Sequence, residues 1–197
     1  QMPTYIITKD HDYLQLISDE TSLWLIQTKQ ENADAITGKY AAVFSTEKKY
    51  CLPDKAAQIT PDICRAEYGV RPEQIPDLKG IVGDSSDNIP GVKGVSSAAA
   101  PLLNEYGTLD GIYEAIDSCA DDKEKKALSA FWKESLGIKR TPMNALIRDR
   151  DTAFLSRRLA TIERDVPLTH TFEEMSLERL SEVKRDEQYK KYGFKSI

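Results

Sequence analysis

The sequence has few of the side chains and segments on which several common protein classes depend. Its 197 residues include only three cysteines and two histidines, and no cysteine pair has CxxC spacing. This scarcity excludes a cysteine- or histidine-rich zinc site and favours a reducing, cytoplasmic location. No apolar run reaches the roughly 20 residues that cross a bilayer, and no signal-peptide pattern opens the chain, so no membrane partner is expected.

Positive charge is not in excess either. There are 27 lysines and arginines against 32 aspartates and glutamates, which gives a formal net charge of −5. That balance argues against a protein that coats nucleic acid by bulk charge, although it permits a local basic track. With so few histidines, any bound metal is expected to be a hard ion held by oxygen atoms.

Apolar runs and capping residues predict an α/β segment followed by a mainly helical region. A buried strand is predicted over residues 5–7, a short helix over 13–17 and a second strand over 22–28. Residues 29–59 are predicted to form a loop or β-hairpin excursion. We expect one domain with three regions, 1–60, 61–120 and 121–197.

Helix start and stop signals recur after residue 59. Predicted helices begin at Thr60, Arg71, Ser96 or Ser97, and Thr108. A further helix is predicted over residues 148–162 and a last one over 176–192. Four apolar residues are expected on the inner side of the 148–162 helix: Phe154, Leu155, Leu159 and Ile162.

Two acidic pairs are candidate metal ligands. Asp10 and Asp12 follow the first strand, and both carboxylates face one side if the extended geometry persists. Asp84 and Asp87 share a face if their segment turns like a helix. Converging carboxylates need cations, and a pair of magnesium ions fits that need. Alternatively, Asp10 caps the helix after it and Asp84 caps a turn, which is the commoner role for a single aspartate.

Residues 89–95 (Ile-Pro-Gly-Val-Lys-Gly-Val) form a predicted hairpin between two helices, directly after the second acidic pair. Its two glycines allow close approach of the backbone to a phosphate, and successive N–H groups near a helix start can bind an anion. A simple tight connection between helices is the alternative. The adjacency of an acidic pair and an anion-binding hairpin favours a metal-dependent enzyme that acts on a phosphate backbone.

The run Gly-Asp-Ser-Ser-Asp-Asn-Ile-Pro-Gly-Val-Lys-Gly-Val at 83–95 resembles the signature of the 5′-nuclease family. That family includes the 5′–3′ exonuclease domain of bacterial DNA polymerase I, its free-standing relatives and the flap endonucleases. Residues 8–16 resemble the family's upstream acidic motif. Residues 159–168 and 190–194 resemble segments that close the nuclease domain of the polymerase. The resemblance thus spans most of the chain, with its motifs in the family's order.

The resemblance implies a fold and a set of roles. The fold is an α/β core fragment followed by a mainly α-helical region with a helix–three-turn–helix element that binds DNA. Metal ligands, for two Mg²⁺ or Mn²⁺ ions, would be Asp10, Asp12, Asp84 and Asp87. The DNA-binding residues would be Gly91, Val92, Lys93, Gly94, Val95 and Ser96, with K⁺ as a possible ion at the hairpin.

The resemblance also implies an activity and partners. The activity is hydrolysis of DNA phosphodiesters at 5′ ends, flaps and nicks without sequence preference. A polymerase domain on the same chain is an implied partner. The alternative is a duplex-DNA-binding module without catalysis, and a purely structural scaffold is a third hypothesis.

Two departures from the family pattern matter. The family's first strand, helical arch and Glu/Asp cluster have no counterpart before Gln1, so the chain is expected to be a fragment that is weakly active or inactive alone. After the hairpin, the usual Gly-Glu-Lys-Thr-Ala is replaced by residues 96–100 (Ser-Ser-Ala-Ala-Ala), followed by Pro101. The usual lysine is therefore absent, and proline is tolerated in a helix only near its start.

Overall fold

The structure, a computed structural model, describes residues 3–42, 52–176 and 182–193. The chain divides into two compact units, Gln1–Ile162 and Glu163–Ile197. The first unit contains the sheet, the main hydrophobic core and both predicted acidic pairs. The predicted α/β start and mainly helical continuation are confirmed.

The α/β start is a three-stranded sheet. Strand β1 (Thr4–Thr8) leads through a 3₁₀ helix (His11–Leu16) into β2 (Thr21–Ile26), which pairs parallel to β1 with Thr4 opposite Thr21. Strand β3 (Ala56–Ile59) pairs antiparallel with β2 on its other side. The predicted strand–helix–strand order is confirmed, but the expectation of a buried first strand was wrong, because the Ile7 side chain is 56% exposed.

The prediction of a loop or hairpin for residues 29–59 was wrong for the described parts of that segment. Residues Gln30–Lys39 form helix α1, and β3 supplies the third strand. Helix α1 is hard to recognise in the sequence because Ala33 is its one fully buried side chain. Residues 43–51, which include two of the lysines in this segment, lie outside the described residues.

The helix starts predicted at Thr60, Ser96 and Thr108 are confirmed, whereas the α-helix predicted from Arg71 begins only at Ile75. These helices are α2 (Pro61–Tyr68), α3 (Ile75–Val82), α4 (Ser96–Tyr106) and α5 (Leu109–Asp117). The Thr60 hydroxyl accepts the Ile63 N–H, and Thr108 accepts the Gly111 N–H in the same way. A 3₁₀ turn, Pro72–Gln74, precedes α3.

Three more helices complete the first unit: α6 (Asp122–Glu134), α7 (Met143–Arg148) and α8 (Arg150–Ala160). The predicted apolar face of α8 was wrong, because Leu155 and Leu159 are 54% and 59% exposed. The buried face consists of small residues, Ala153, Ser156 and Ala160. Small side chains let α8 approach α3 closely: a Cβ added at Gly80 would lie 3.0 Å from the Cβ of Arg157.

One hydrophobic core joins the sheet to the helices of the first unit. Its largest fully buried side chains include Trp132, Leu14 and Leu102. The described part of the second unit consists of a 3₁₀ turn (Glu173–Met175) and helix α9 (Glu182–Tyr192). Within the ranges that the structure describes, no helix is long and apolar enough to cross a membrane.

Candidate functional site

Asp10 and Asp12 lie at the junction between β1 and the 3₁₀ helix. Strand β1 ends at Thr8, and the Asp10 carboxylate caps the 3₁₀ helix by accepting the Asp12 N–H at 2.8 Å. The condition that extended geometry persists through Asp12 is therefore not met, and the capping alternative applies to Asp10. Asp10 still lines the same open cleft as Asp12, so its role as a metal ligand stays a prediction.

The segment that carries Asp12 is anchored to the end of α8 by the buried amide of Gln15. Its Nε2 donates to the carbonyls of Asp12 and Ala160, both at 2.9 Å. Its Oε1 accepts the N–H of Ile162 at 3.0 Å. Ala160 lies 145 positions and Ile162 lies 147 positions from Gln15 in the chain. Gln15 therefore fixes the position of Asp12 relative to the end of α8.

Asp84 opens a tight turn, residues 84–89, that follows α3. Asp84 and Ile89 exchange both backbone hydrogen bonds at 2.8 Å, and Asn88 in the turn adopts a φ of +57°. The Asp84 carboxylate also accepts the Ser86 N–H at 3.0 Å. This acidic turn brings Asp87 to the same side as Asp84.

Three of the four predicted ligands come together. Oxygen atoms of Asp12, Asp84 and Asp87 can lie within 4.8 Å of one another. We call these residues the carboxylate cluster. Asp12 and Asp84 are half-buried, whereas Asp87 is exposed to the cleft. An all-carboxylate donor set on an open cleft fits a hard divalent cation that keeps part of its water shell.

The sequence analysis missed Lys79, which lies in the last turn of α3. Its ammonium forms ion pairs with Asp12 and with Asp84, the latter at 2.7 Å, and its side chain is only 13% exposed. Lys79 and the Ser86 hydroxyl lower the pKa of Asp84 to about 2. Burial alone would lower the pKa of Lys79, but the hydrogen bonds that its ammonium donates to Asp12 and Asp84 outweigh burial and raise that pKa above its usual value.

The position of Lys79 is informative about the cluster. Converging carboxylates require positive charge, and Lys79 supplies one positive charge directly at two of them. The sequence offered one signal for Lys79, its position five residues before Asp84 in the last turn of the preceding helix. Its contact with Asp12, however, spans 67 positions. A local pattern does not reveal such a contact.

The hairpin is joined to α3 at a crossing of two glycines. A Cβ added at Gly91 would lie 2.3 Å from the backbone nitrogen of Gly83, and both residues have positive φ, +60° and +79°. The Val92 N–H donates to the Ile81 carbonyl at 2.7 Å. Helix α8 supports the same point, because the buried Ser156 hydroxyl accepts the Gly91 N–H at 3.1 Å.

The structure separates the predicted DNA-binding residues by exposure. The side chains of Val92 and Val95 belong to the hydrophobic core, so these residues can offer only backbone atoms to a ligand. Lys93, Gly94 and Ser96 are exposed. A Cβ at Gly94 would meet nothing within 4 Å, which leaves its backbone open to solvent.

Helix α4 accommodates the departure from the family pattern after the hairpin. It begins at Ser96 and continues without interruption to Tyr106, with Pro101 inside it. Proline at this position removes the N–H that would bond to the Ser97 carbonyl. Pro101 is the sixth residue of this eleven-residue helix and lies within its first two turns, as the sequence analysis expected.

Comparison with known proteins places the chain in a family. The model of the family described as 5′-3′ exonuclease, C-terminal SAM fold, matches residues 70–183. DNA polymerase I of Caldicellulosiruptor bescii is 33% identical over 193 residues, which are 98% of this chain and 18% of that protein. DNA polymerase I of Bacillus caldotenax is 35% identical over 70% of this chain and 14% of that protein.

A shorter relative is also similar. Flap endonuclease Xni of Cronobacter sakazakii is 30% identical over 154 residues, which cover 73% of this chain and 54% of that protein. The chain thus spans less than a fifth of the two polymerases and about half of this relative. Because the family model covers more than half of the chain and includes the acidic turn, the hairpin and α8, the chain belongs to the 5′–3′ exonuclease family.

Proposed function

We propose that this chain is the part of a 5′–3′ exonuclease or flap endonuclease that contributes metal ligands and binds the DNA backbone. Its substrates would be DNA phosphodiesters at 5′ ends, flaps and nicks. The observation that carries the proposal is the fusion of two parts: the acidic turn, with Asp84 and Asp87, continues through the Gly83–Gly91 crossing into the hairpin. The proposed metal-binding group is thereby held next to the proposed backbone-binding group.

The proposed metal ligands are Asp12, Asp84 and Asp87, with Asp10 available from the cleft wall. Mg²⁺ or Mn²⁺ suits this oxygen donor set, and two ions are proposed. When bound, such ions activate a water molecule and stabilise the leaving oxygen of the phosphodiester. Lys79 would keep the carboxylates together and could donate a hydrogen bond to a phosphate oxygen at the cluster.

The proposed DNA contacts are made by residues 91–96. The backbone of the hairpin and the side chains of Lys93 and Ser96 would hold a phosphate, with K⁺ at main-chain oxygens as part of the proposal. Such contacts recognise backbone shape rather than base sequence. The proposed division into regions 1–60, 61–120 and 121–197 places the proposed DNA-binding residues in the second region.

Partners follow from the same proposal. The two polymerase relatives are longer than this chain by a factor of five or more, given that it covers 18% and 14% of them. A polymerase domain on the same polypeptide, and the remaining carboxylates of the metal site in another segment of the nuclease, are therefore proposed.

The test replaces Asp84 or Asp87 by Asn in the whole protein and measures Mg²⁺-dependent cleavage of a 5′-flap DNA. We expect cleavage to fall by at least about a hundredfold, since the ion stabilises charge that develops in the transition state. Asp122→Asn is the matched control, because that side chain is 95% exposed at the start of α6. Undiminished cleavage by both cluster variants would overturn the metal-ligand assignment.

The rival hypothesis, a DNA-binding module without catalysis, gives a different result in the same experiment. It predicts salt-dependent binding of flap DNA by the unaltered protein with no cleavage in Mg²⁺ or Mn²⁺.

A further inference from the structure

A second cleft adjoins the hairpin, and it is distinct from the cleft that contains the carboxylate cluster. Lys93 and Gly94 of the hairpin line it together with Arg148, Asp149 and Thr152, which lie at the junction of α7 and α8. None of these α7–α8 residues belongs to a motif that the sequence analysis assigned to the function. The cleft is therefore a candidate for contacts beyond residues 91–96.

The Asp149 carboxylate is held between a guanidinium and a hairpin amide. Arg148 donates to it through Nε at 2.8 Å and through Nη2 at 2.6 Å. The Lys93 N–H donates to Oδ2 of the same carboxylate at 3.4 Å. A forked guanidinium and a backbone N–H facing one anion is also the arrangement that binds a phosphate diester.

The exposure of the two side chains fits such a site. The Arg148 side chain is 61% exposed, whereas that of Asp149 is 20% exposed and lies against the hairpin. Arg148, through its hydrogen bonds, lowers the pKa of Asp149 below its usual value, so the carboxylate is negatively charged at neutral pH. The Asp149 carboxylate thus occupies the point in the cleft where a phosphate would accept hydrogen bonds from the same donors, the Arg148 guanidinium and the Lys93 N–H.

This ion pair does not hold the fold together. Arg148 and Asp149 are consecutive residues, so their contact connects no two distant elements. The otherwise similar pair of Arg150 with Asp117 connects α8 to α5, and its two hydrogen bonds are 2.8 and 2.7 Å long. Asp149 also precedes α8 without making a side-chain capping bond to it. Asp149 does link the hairpin to the start of α8 through the Lys93 N–H, but the Arg148 guanidinium takes no part in that 3.4 Å bond, so this link does not explain the position of Arg148.

We propose that Arg148 and the Lys93 amide form a subsite for a phosphate of the DNA backbone, and that the Asp149 carboxylate occupies this subsite until DNA displaces it. The inference rests on the proposed function, because it takes DNA as the ligand of the hairpin. Arg148 then contacts the substrate directly. Asp149 is an internal competitor, and it weakens the binding of any anion that makes no further contacts with the hairpin.

The test measures binding of a 5′-flap DNA by fluorescence anisotropy across a series of salt concentrations. It uses the whole protein in EDTA, so that no cleavage occurs. Asp149→Asn removes the competing charge and is expected to tighten binding about fivefold, the factor that corresponds to one exposed ion pair. Arg148→Gln is expected to weaken binding and to make the slope of log Kd against log salt shallower by about one.

The matched controls are Asp117→Asn and Arg150→Gln, which change the net charge by the same amounts at a similar ion pair away from the hairpin. They report the effect of bulk charge, and we expect them to shift affinity much less than the corresponding subsite variants. The KM for flap cleavage in Mg²⁺ should shift in the same direction as Kd for both subsite variants.

The outcomes separate this inference from the proposed function. If the unaltered protein binds and cleaves flap DNA but the subsite variants behave like their controls, the subsite is overturned and the proposed function stands. If the unaltered protein binds no flap DNA, the proposed function is overturned and the subsite with it. Arg148→Gln and Asp149→Asn are measured as separate variants, and a subsite at this cleft requires their affinities to shift in opposite directions.

Discussion

The ammonium of Lys79 lies 2.7 Å from Oδ2 of Asp84, one of the three residues of the carboxylate cluster. Lys79 also pairs with Asp12, so one protein cation joins two segments that lie far apart in the sequence. A divalent ion at the cluster would compete with this ammonium for the same oxygen atoms. Lys79 therefore affects both the stability of the metal-free protein and the affinity for metal.

Replacing Lys79 by Met should have opposite effects on these two properties. The metal-free protein is expected to lose about 2 kcal/mol of unfolding free energy, because half-buried carboxylates lose their partner. Mn²⁺ should bind several times more tightly, since the competing charge is gone. Urea unfolding in EDTA and calorimetric titration with Mn²⁺ measure the two effects.

The control for Lys79→Met is Lys39→Met, which breaks the 2.8 Å ion pair with Glu67 away from the cluster. It should leave Mn²⁺ affinity unchanged. Equal Mn²⁺ affinity for Lys79→Met and the unaltered protein would contradict competition between Lys79 and the metal.

Gly91→Ala should damage the proposed metal site and the proposed DNA-binding hairpin together. The new Cβ would lie 2.3 Å from the Gly83 nitrogen, and the φ of +60° adds strain of its own. We expect a loss of more than about 3 kcal/mol in unfolding free energy, because backbone rather than a flexible side chain must move. Urea unfolding, Mn²⁺ titration and flap-DNA binding measure the three consequences.

Gly94→Ala is the matched control for this substitution. Gly94 has a φ of +79° but open space where the Cβ would be, so only the left-handed conformation costs free energy, about 1–2 kcal/mol. If Gly91→Ala were no more destabilising than Gly94→Ala, the close crossing of Gly83 and Gly91 would not exist in the protein.

Gln15→Met should loosen the segment that carries Asp12. Methionine has a similar volume but leaves the Ala160 carbonyl and the Ile162 N–H without the Gln15 amide, at a cost of about 2 kcal/mol. Mn²⁺ affinity should fall as well, because the segment that carries Asp12 loses its anchor at the end of α8. Gln58→Met, which removes one 3.3 Å bond to Ser22, is the control and should cost less than about 1 kcal/mol.

The Cys64 thiol should be unreactive in the folded protein. It is fully buried, and burial raises its pKa to about 12, so the thiolate that attacks disulfide reagents is scarce. With Cys51 replaced by Ser in all samples, one thiol, that of half-buried Cys119, should react with Ellman's reagent before the second. Rapid reaction of two thiols under native conditions would show that Cys64 is accessible; urea should release both.

Local signals in the sequence were sufficient for much of the helical region and for two of the three residues of the carboxylate cluster. Thr60, Gly69 and Thr108 mark helix ends through bonds to residues within four positions, which a sequence pattern can capture. Asp84 and Asp87 belong to one short turn and were identified as a pair for the same reason. The α/β start was also recognised, because its strands alternate with a short helix.

The features that the sequence did not reveal depend on contacts between distant segments. Lys79 meets Asp12 only because α3 packs beside the 3₁₀ helix, and Leu155 and Leu159 point outward because α8 uses small residues against Gly80. Hydrophobicity favours the leucines as the inner face, whereas close helix packing favours alanine and serine. Asp10 shows the same limit, since its capping bond depends on where β1 ends.

The crossing of Gly83 and Gly91 has a consequence for enzyme kinetics. One stretch of backbone carries both the residues proposed to hold the substrate and those proposed to hold the metal. At the crossing, this backbone is in such close contact with itself that neither part can move alone. A displacement at either end is transmitted to the other, so substitutions at the crossing should alter kcat and KM together. Separable effects on kcat and KM are then expected only for side chains that project from this backbone, such as Lys93 and Asp87, and not for the backbone itself.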